Sequence, residues 1–399
     1  MRFHPFRSDD AAWRGAMDRL RFDWGKWDLD VGGKATVARG ALVLERAEHE
    51  AVVAAAEALA DLATRARERL RHDPVALRGL GLDARLIEIL PDEPAGDLVT
   101  RIDFFRTKDG WQVSEFNDDC PGGYNEALGL PVVLADVVPD GCAVAGDLPD
   151  SLVGLFGPDG GSALLYATGY AEDLQVVELL SRLLQAEGCE TVLASPAHVR
   201  IEGGRPVVLG RPVDRLVRFF PADWLPGLPN WSEWAGLGRC GIAVRNPLAA
   251  AATQSKAIHR WLWETARDGA DQALVRRLLP RTAELDEATA AEALARPYDV
   301  VLKPAFGRMG EGVVLGRECP PDTWRKRVAS ALRSRRARPY VVQDRFDSVP
   351  VETEPGRTAT ACVGAYVVAG RFAGYYSRLS ASPVVAYDAS NVLTVVEGL

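Results

Sequence analysis

The sequence predicts an α/β chain with α+β character, and three observations carry that expectation. Between Ser162 and Leu216 an apolar strand (ALLYAT), a helix (DLQVVELLSRLLQAEG), a strand (TVLASP) and a strand pair around Gly203 and Gly204 follow one another, the order of an open α/β sheet. LVTRIDFFRT and GWQVSEFN meet at Lys108, Asp109 and Gly110, which is a hairpin signature. VVLKPAFGRMGEGV, Val300 to Val313, runs from a strand into a glycine-rich loop.

The elements follow in order. Residues 40 to 72 repeat apolar positions at three and four and predict one long amphipathic helix that packs on the core. The hairpin comes next, then the alternating lobe and a proline- and tryptophan-rich connection from Pro221 to Trp234. A helix is expected around Lys256 to Ala266, another in AELDEATAAEALA, and a strand-rich final third begins at PYVVQDRF. No internal repeat or low-complexity linker interrupts the pattern.

Composition bounds the function. At 399 residues and 47% hydrophobic content the chain can bury one large core or two to three smaller ones. A formal net charge of −8 argues against a nucleic-acid partner, because phosphate backbones demand concentrated positive charge. The Arg-rich piece RKRVASALRSRRAR, Arg325 to Arg338, reads as the solvated face of a helix. No stretch reaches the roughly 18 apolar residues of a membrane span, and Met1 to Arg21 has no signal-like apolar run, so no membrane partner and a cytoplasmic location are expected. The six cysteines are widely separated without a C-x-x-C pair, which predicts reduced thiols and neither zinc nor disulfides.

Five places carry chemistry. Residues i and i+2 of a strand share a face, so Arg101 with Asp103, and Glu115 with Asn117, converge on one surface of the hairpin. Two carboxylates and an amide oxygen are hard-oxygen donors suited to Mg²⁺; a solvated polar face with ion pairs is the other reading. In the glycine loop, Lys303 precedes Gly307, Gly310 and Gly312, whose N–H groups can wrap phosphates, with Arg308 among them. A plain tight turn stands beside that reading, and the P-loop pattern is absent. Lys256 reads as a second phosphate-facing lysine at a helix start or as an ordinary surface lysine. Gln343, in YVVQDRF, reads as an adenine neighbour or a core strand residue. Arg378 follows the turn at Gly370, where an isolated arginine would form a surface ion pair.

These pieces together resemble the synthetase half of the glutathionylspermidine synthase family, most specifically in R-I-D followed by S-E-F-N-D-D-C-P, and further in QSKAIHRWLWE, LKPAFGRMGEG, RLVRFFPADWL and the Arg378 strand. The resemblance implies a circularly permuted ATP-grasp fold with a pre-ATP-grasp-like open α/β lobe. The metal ligands precede the phosphate lysines here, whereas an unpermuted chain places them last. It implies an N-terminal helical segment at 1–97, the Mg²⁺ hairpin at 98–160, the substrate lobe at 161–245 and the nucleotide-binding subdomains at 246–399. Asp103, Glu115 and Asn117 would hold Mg²⁺, and Arg101 would touch ATP and the acyl group. Lys256 and Lys303 would bind ATP phosphates under the loop Gly307, Arg308, Met309, Gly310 and Gly312. Gln343 would lie beside the adenine, Arg308 would stabilise the transition state, and Arg378 would approach the phosphate or acceptor side.

The activity so implied joins a small-molecule carboxylate to an amine through an acyl-phosphate, with ATP and Mg²⁺. A kinase on the same fold and a non-catalytic nucleotide-binding scaffold are the alternatives. Family dimers lead us to expect a homodimer. No amidase-like Cys–His pair precedes the hairpin, so hydrolysis is not expected. Cys120 stands where the family typically has Thr, and the family's Pro-His close is absent after Asn391, so neither glutathione nor spermidine is assumed. Glu172 and Asp173 read as amine partners or as helix caps. Removing Asp103 or Glu115 is expected to abolish ADP formation with little loss of folding.

Overall fold

The computed structural model describes residues 1–157, 160–308 and 310–399. Its centre is a nine-stranded sheet whose main path runs Arg2–Pro5, Val37–Glu45, Ser390–Glu397, Arg371–Ser380, Arg357–Val368, Val99–Thr107 and Gly110–Asn117. Along that path the neighbours are antiparallel except Val37–Glu45 and Ser390–Glu397, which pair in parallel. Strands from both ends of the sequence therefore share one sheet with the predicted hairpin.

The helix expected from residue 40 instead begins at Arg46 and ends at Leu70, and the residues before it are strand. Ala41, Leu42, Val43 and Leu44 are all 0% exposed. A run buried on both faces has no polar side to set its period, so periodicity alone cannot tell it from the inner face of a helix. Glu45 marks the change, since its side chain and that of Glu48 form a capping box. From there Val52, Ala56, Leu59 and Ala63 lay the helix across the sheet.

The alternating lobe forms a four-stranded parallel sheet, ordered Ala243–Arg245, Arg215–Phe219, Gly161–Tyr166 and Glu190–Ala194, with the helix Ala171–Ala186 against it. A third sheet is antiparallel and runs Thr282–Glu284, Tyr340–Asp344, Val300–Pro304, Val314–Leu315. The helices Glu287–Ala295 and Pro321–Ser334 pack on it through Ala290, Ala293, Trp324 and Val328. Arg325, Lys326 and Arg327 point to solvent, as the charge pattern predicts.

The helix expected from Lys256 is also corrected. Ala250–Gln254 and Ile258–Thr265 are separate helices, and Lys256 sits in the break. Its backbone N–H donates to Ala305 O at 2.9 Å rather than to the carbonyl four residues back, and Ser255 Oγ donates to Leu80 O at 2.6 Å. Pairing with the end of the Val300–Pro304 strand interrupts the helix and brings the two lysine-bearing segments together. Among the described residues no helix is long and apolar enough to cross a membrane.

Candidate active site

The hairpin register sets Arg101 opposite Asn117 and Asp103 opposite Glu115, so the four predicted side chains do share a face. Asp103, 1% exposed, is gripped from two sides. Arg101 donates through Nε at 2.7 Å and Nη2 at 3.2 Å, and Arg378 Nη2 approaches Oδ2 at 3.2 Å. Arg101 Nη1 also donates to Gly122 O at 2.7 Å, and its guanidinium lies 5.0 Å from the Tyr376 ring centre. Burial opposes the charge on Arg101, yet the Asp103 carboxylate outweighs it and holds the guanidinium well above its ordinary value. Gly364, opposite Asp103, makes room for this arrangement. A Cβ there would stand 2.5 Å from Tyr376 O and 2.8 Å from Arg101 Cδ.

A second set of charges meets beside the first. Lys256 Nζ lies 3.0 Å from Glu115 and 3.3 Å from Gly307 O. Lys303 Nζ donates to Gln343 Oε1 at 2.6 Å and to Ser114 O at 3.5 Å. Burial pushes the Glu115 carboxyl up, but Lys256 and Lys303 overcome it and bring it down to about 2. For Lys303 burial wins over Glu115, and its ammonium is lowered to about 8.

These groups line one cavity of about 310 Å³, whose walls include Asp103, Glu115, Lys256, Lys303, Gln343 and Arg378 at its polar side and Val301, Leu315, Phe346 and Val384 elsewhere. Gly310 reaches the same wall from the loop. The other predicted residues stand back. Arg101 is behind Asp103, and Asn117 is half-buried with Nδ2 donating to Arg101 O at 3.2 Å. Gly307 contributes its carbonyl to Lys256, and Gly312 turns the loop with φ of 71°. Arg308 is exposed and stacks 4.6 Å over Trp224, outside the cavity lining. Met309 lies outside the described residues.

The sequence profile of the glutathionylspermidine synthase preATP-grasp family matches residues 6–397. The chain belongs to this family. In fold, the preATP-grasp chain is similar to a glutathione synthetase-like effector from Globodera pallida in its apo form, at a TM-score of 0.64 and 11% identity over 97% of this chain and 98% of that one. A proposed gamma-glutamylcysteine synthetase from Methylobacillus flagellatus KT matches at 0.45 and 15% identity, over 84% and 87% of the two chains. No curated protein matches the sequence significantly.

In this member of the glutathionylspermidine synthase family, Arg218 and Asp223 escape sequence reasoning, whereas Cys120 and Asp173 do not. Arg218, on the apolar strand Arg215–Phe219, is fully buried with Nη2 at 2.6 Å from Asp119 and Nη1 at 3.8 Å from Cys120 Sγ. An arginine flanked by Val217 and Phe219 in such a strand was the available signal. Burial and the neighbouring Asp119 push the Cys120 thiol well up, so it stays protonated. Asp173 and Asp223 approach Arg308 from the parallel-sheet lobe, and burial raises each carboxyl to about 6. Asp173 is 7% exposed and its Oδ2 has no hydrogen-bond partner among the described residues, whereas Glu172 beside it is exposed.

Proposed function

We propose that this chain is an ATP-dependent carboxylate–amine ligase working through an acyl-phosphate, and one observation carries the reading. Three cationic side chains of the cavity lining, Lys256, Lys303 and Arg378, with Arg101 behind them, surround two carboxylates, Asp103 and Glu115, so that this cluster of four cations and two anions carries two net positive charges. Desolvated positive charge of that kind suits a polyphosphate chain.

The donor set also fits Mg²⁺. Among the described residues no three His, Cys, Asp or Glu side chains cluster as a metal cage, so Asp103 and Glu115, with Asn117 at the rim, would hold the ion only in company with phosphate oxygens, which is how Mg²⁺ is ordinarily bound. Bound there, it would neutralise charge on the transferring phosphoryl group.

In the proposed sequence a substrate carboxylate oxygen attacks the γ-phosphorus and the bond to the β–γ bridging oxygen breaks, with its electron pair leaving on ADP. The amine nitrogen then attacks the acyl carbon, phosphate departs with the C–O pair, and the nitrogen loses a proton. Lys256 and Lys303 anchor the phosphates, Arg378 faces the oxygens on which charge develops while Arg101 holds Asp103 in place behind it, and the glycine loop excludes water. The Asp173 oxygen Oδ2, buried and without a partner among the described residues, favours an amine-pairing role for that residue, and Arg308 would leave Trp224 to reach the reacting groups.

The test is ADP and phosphate release by purified protein with Mg·ATP against pooled carboxylates, with and without pooled amines, followed by mass spectrometry. Amine-dependent turnover to a condensed product is expected. A stable phosphorylated product would make the protein a kinase, and nucleotide binding without turnover would make it a scaffold.

A further inference from the structure

Gln343 sits at the centre of a buried hydrogen-bond chain that fixes which way its amide faces. The Lys303 ammonium can only donate, so the Gln343 atom 2.6 Å away is its oxygen, Oε1. The amide nitrogen therefore lies on the opposite side, where it finds Thr282 Oγ1 at 3.0 Å and His259 Nδ1 at 3.1 Å. To accept from that N–H, Nδ1 must be unprotonated and the ring neutral, with its proton on Nε2. Gln343 and His259 are 1% exposed, Thr282 5% and Lys303 7%, so these bonds are made largely out of bulk water.

Four separate elements converge here. His259 comes from the helix Ile258–Thr265, Thr282 from the strand Thr282–Glu284, and Gln343 and Lys303 from adjacent strands whose register places Gln343 opposite Val301 and Val341 opposite Lys303. The His259 ring stands edge-on to Phe116, at 5.6 Å and 89°, which packs it against the strand that carries Glu115 and Asn117. Burial, with Lys303 nearby, lowers the imidazole to about 3, so it stays neutral across the working range.

We infer that His259 and Thr282 lock the Gln343 amide so that its carbonyl oxygen holds the Lys303 ammonium toward the cavity, making Gln343 a positioning residue for a phosphate-binding lysine and not a reader of the nucleobase. With the amide reversed, its NH₂ would face an ammonium and leave two donors opposed in a buried site. The lock is directional, because each partner on the nitrogen side is an acceptor in the state this packing enforces. The inference rests on the nucleotide reading above and names what tunes it.

The deciding experiment measures dissociation constants of Mg·ATP and of base-free Mg·tripolyphosphate for the wild-type protein and for Gln343→Leu, His259→Leu, His259→Asn and Thr282→Val, together with melting temperatures. Asn at 259 offers Oδ1 where Nδ1 stood. The expected result is a loss of about tenfold for both ligands in Gln343→Leu, a smaller parallel loss in His259→Leu and Thr282→Val, and recovery in His259→Asn. Weakened ATP with unchanged tripolyphosphate would make Gln343 a base reader and overturn the inference, as would unchanged affinity for both. If Gln343→Leu does not fold, the contrast between His259→Leu and His259→Asn decides alone, since indistinguishable affinities in that pair overturn the lock. Wild-type protein that binds neither ligand would remove the nucleotide reading itself.

Discussion

At the residue scale, Asp103 changes one expectation drawn from the sequence. A metal-ligand carboxylate on a solvated strand would be removable with little effect on folding, but Asp103 is 1% exposed and neutralises both Arg101 and Arg378. Its replacement by Ala leaves two buried guanidinium charges without a counter-ion, at a cost of about 3–5 kcal/mol. We expect Asp103→Ala to lower the unfolding free energy measured by urea titration by that margin as well as to abolish turnover; an unfolding free energy equal to wild type would refute the burial argument. Lys303 gives a pH prediction. Its folded value of about 8 lies below the ordinary 10.5, so between those values the unfolded chain binds more protons and the stability of the ligand-free protein rises with pH. Nucleotide affinity runs the other way, flat below pH 8 and falling above it as the ammonium is lost. Calorimetry across pH 7 to 10 checks this, and Lys303→Arg, which keeps its charge, should flatten the alkaline fall. Asp173 behaves oppositely. Its carboxyl, raised to about 6, makes the folded chain bind more protons between 3.8 and 6, so its contribution to stability falls as pH rises through that window. Asp173→Asn is expected to raise the melting temperature at pH 7 while raising KM for the amine; a lowered melting temperature would mean that the carboxylate is already paired. Arg101, Asp103, Glu115 and Asn117 were legible as one face because they alternate along a hairpin, whereas Lys256, Lys303 and Arg378 were joined to them only by the family resemblance. His259, Thr282 and Arg218 were not legible, since their role exists only through partners far away in sequence.

At the element scale, what could be read depended on whether an element had a polar side. The hairpin and the Lys303 strand with its loop carry turn residues and alternating or punctuated patterns, and they form where expected. Val37–Glu45 carries none, because it is covered on both faces, and the helix reading ran through it. The helix break at Ser255–Ala257 was hidden for another reason. It is imposed by hydrogen bonds to Ala305 and Leu80, and no Pro or Gly marks it. Gly364 shows how tightly the elements beneath the site approach one another. The strand Arg357–Val368 passes under Arg101 and Asp103 with no room for a side chain at that position. Gly364→Ala forces a Cβ against the Tyr376 carbonyl and the Arg101 stem, for an expected loss of about 1–3 kcal/mol by overpacking. Because the displaced group is the Arg101–Asp103 pair, nucleotide affinity should fall further than the same loss of stability produces elsewhere. A matched substitution such as Val208→Ala in the remote hairpin Val199–Val208 serves as the comparison, and equal effects on affinity in the two variants would show that Gly364 has no special part in the site.

At the scale of the whole molecule, the permutation visible in the order of motifs has a structural counterpart. The strands that carry the site sit in one sheet with segments from both ends of the sequence, and the parallel pairing of Val37–Glu45 with Ser390–Glu397 joins them. Long-range parallel pairing leaves no local signature, so the sequence could show that the motifs were reordered but not which strands closed the sheet. The pairing also makes the site depend on residues remote from it in the chain. Val395 is 0% exposed and pairs with Val43, and two strands, Arg371–Ser380 and Arg357–Val368, lie between its own strand and the one that bears Arg101 and Asp103. A charge placed there has no counter-ion and no water, and the cost of burying it exceeds what a single domain of ordinary stability can absorb. Val395→Asp should therefore abolish nucleotide binding and lose helical and strand signals in circular dichroism in the same transition, at temperatures where wild-type protein is folded. Val207→Asp, on the half-buried face of the small antiparallel hairpin, should leave both nearly intact. If Val395→Asp instead lost only local structure and still bound Mg·ATP, the central sheet would not be the cooperative frame of the site, and the strands bearing Asp103 and Arg378 would have to be held by the helix Arg46–Leu70 alone.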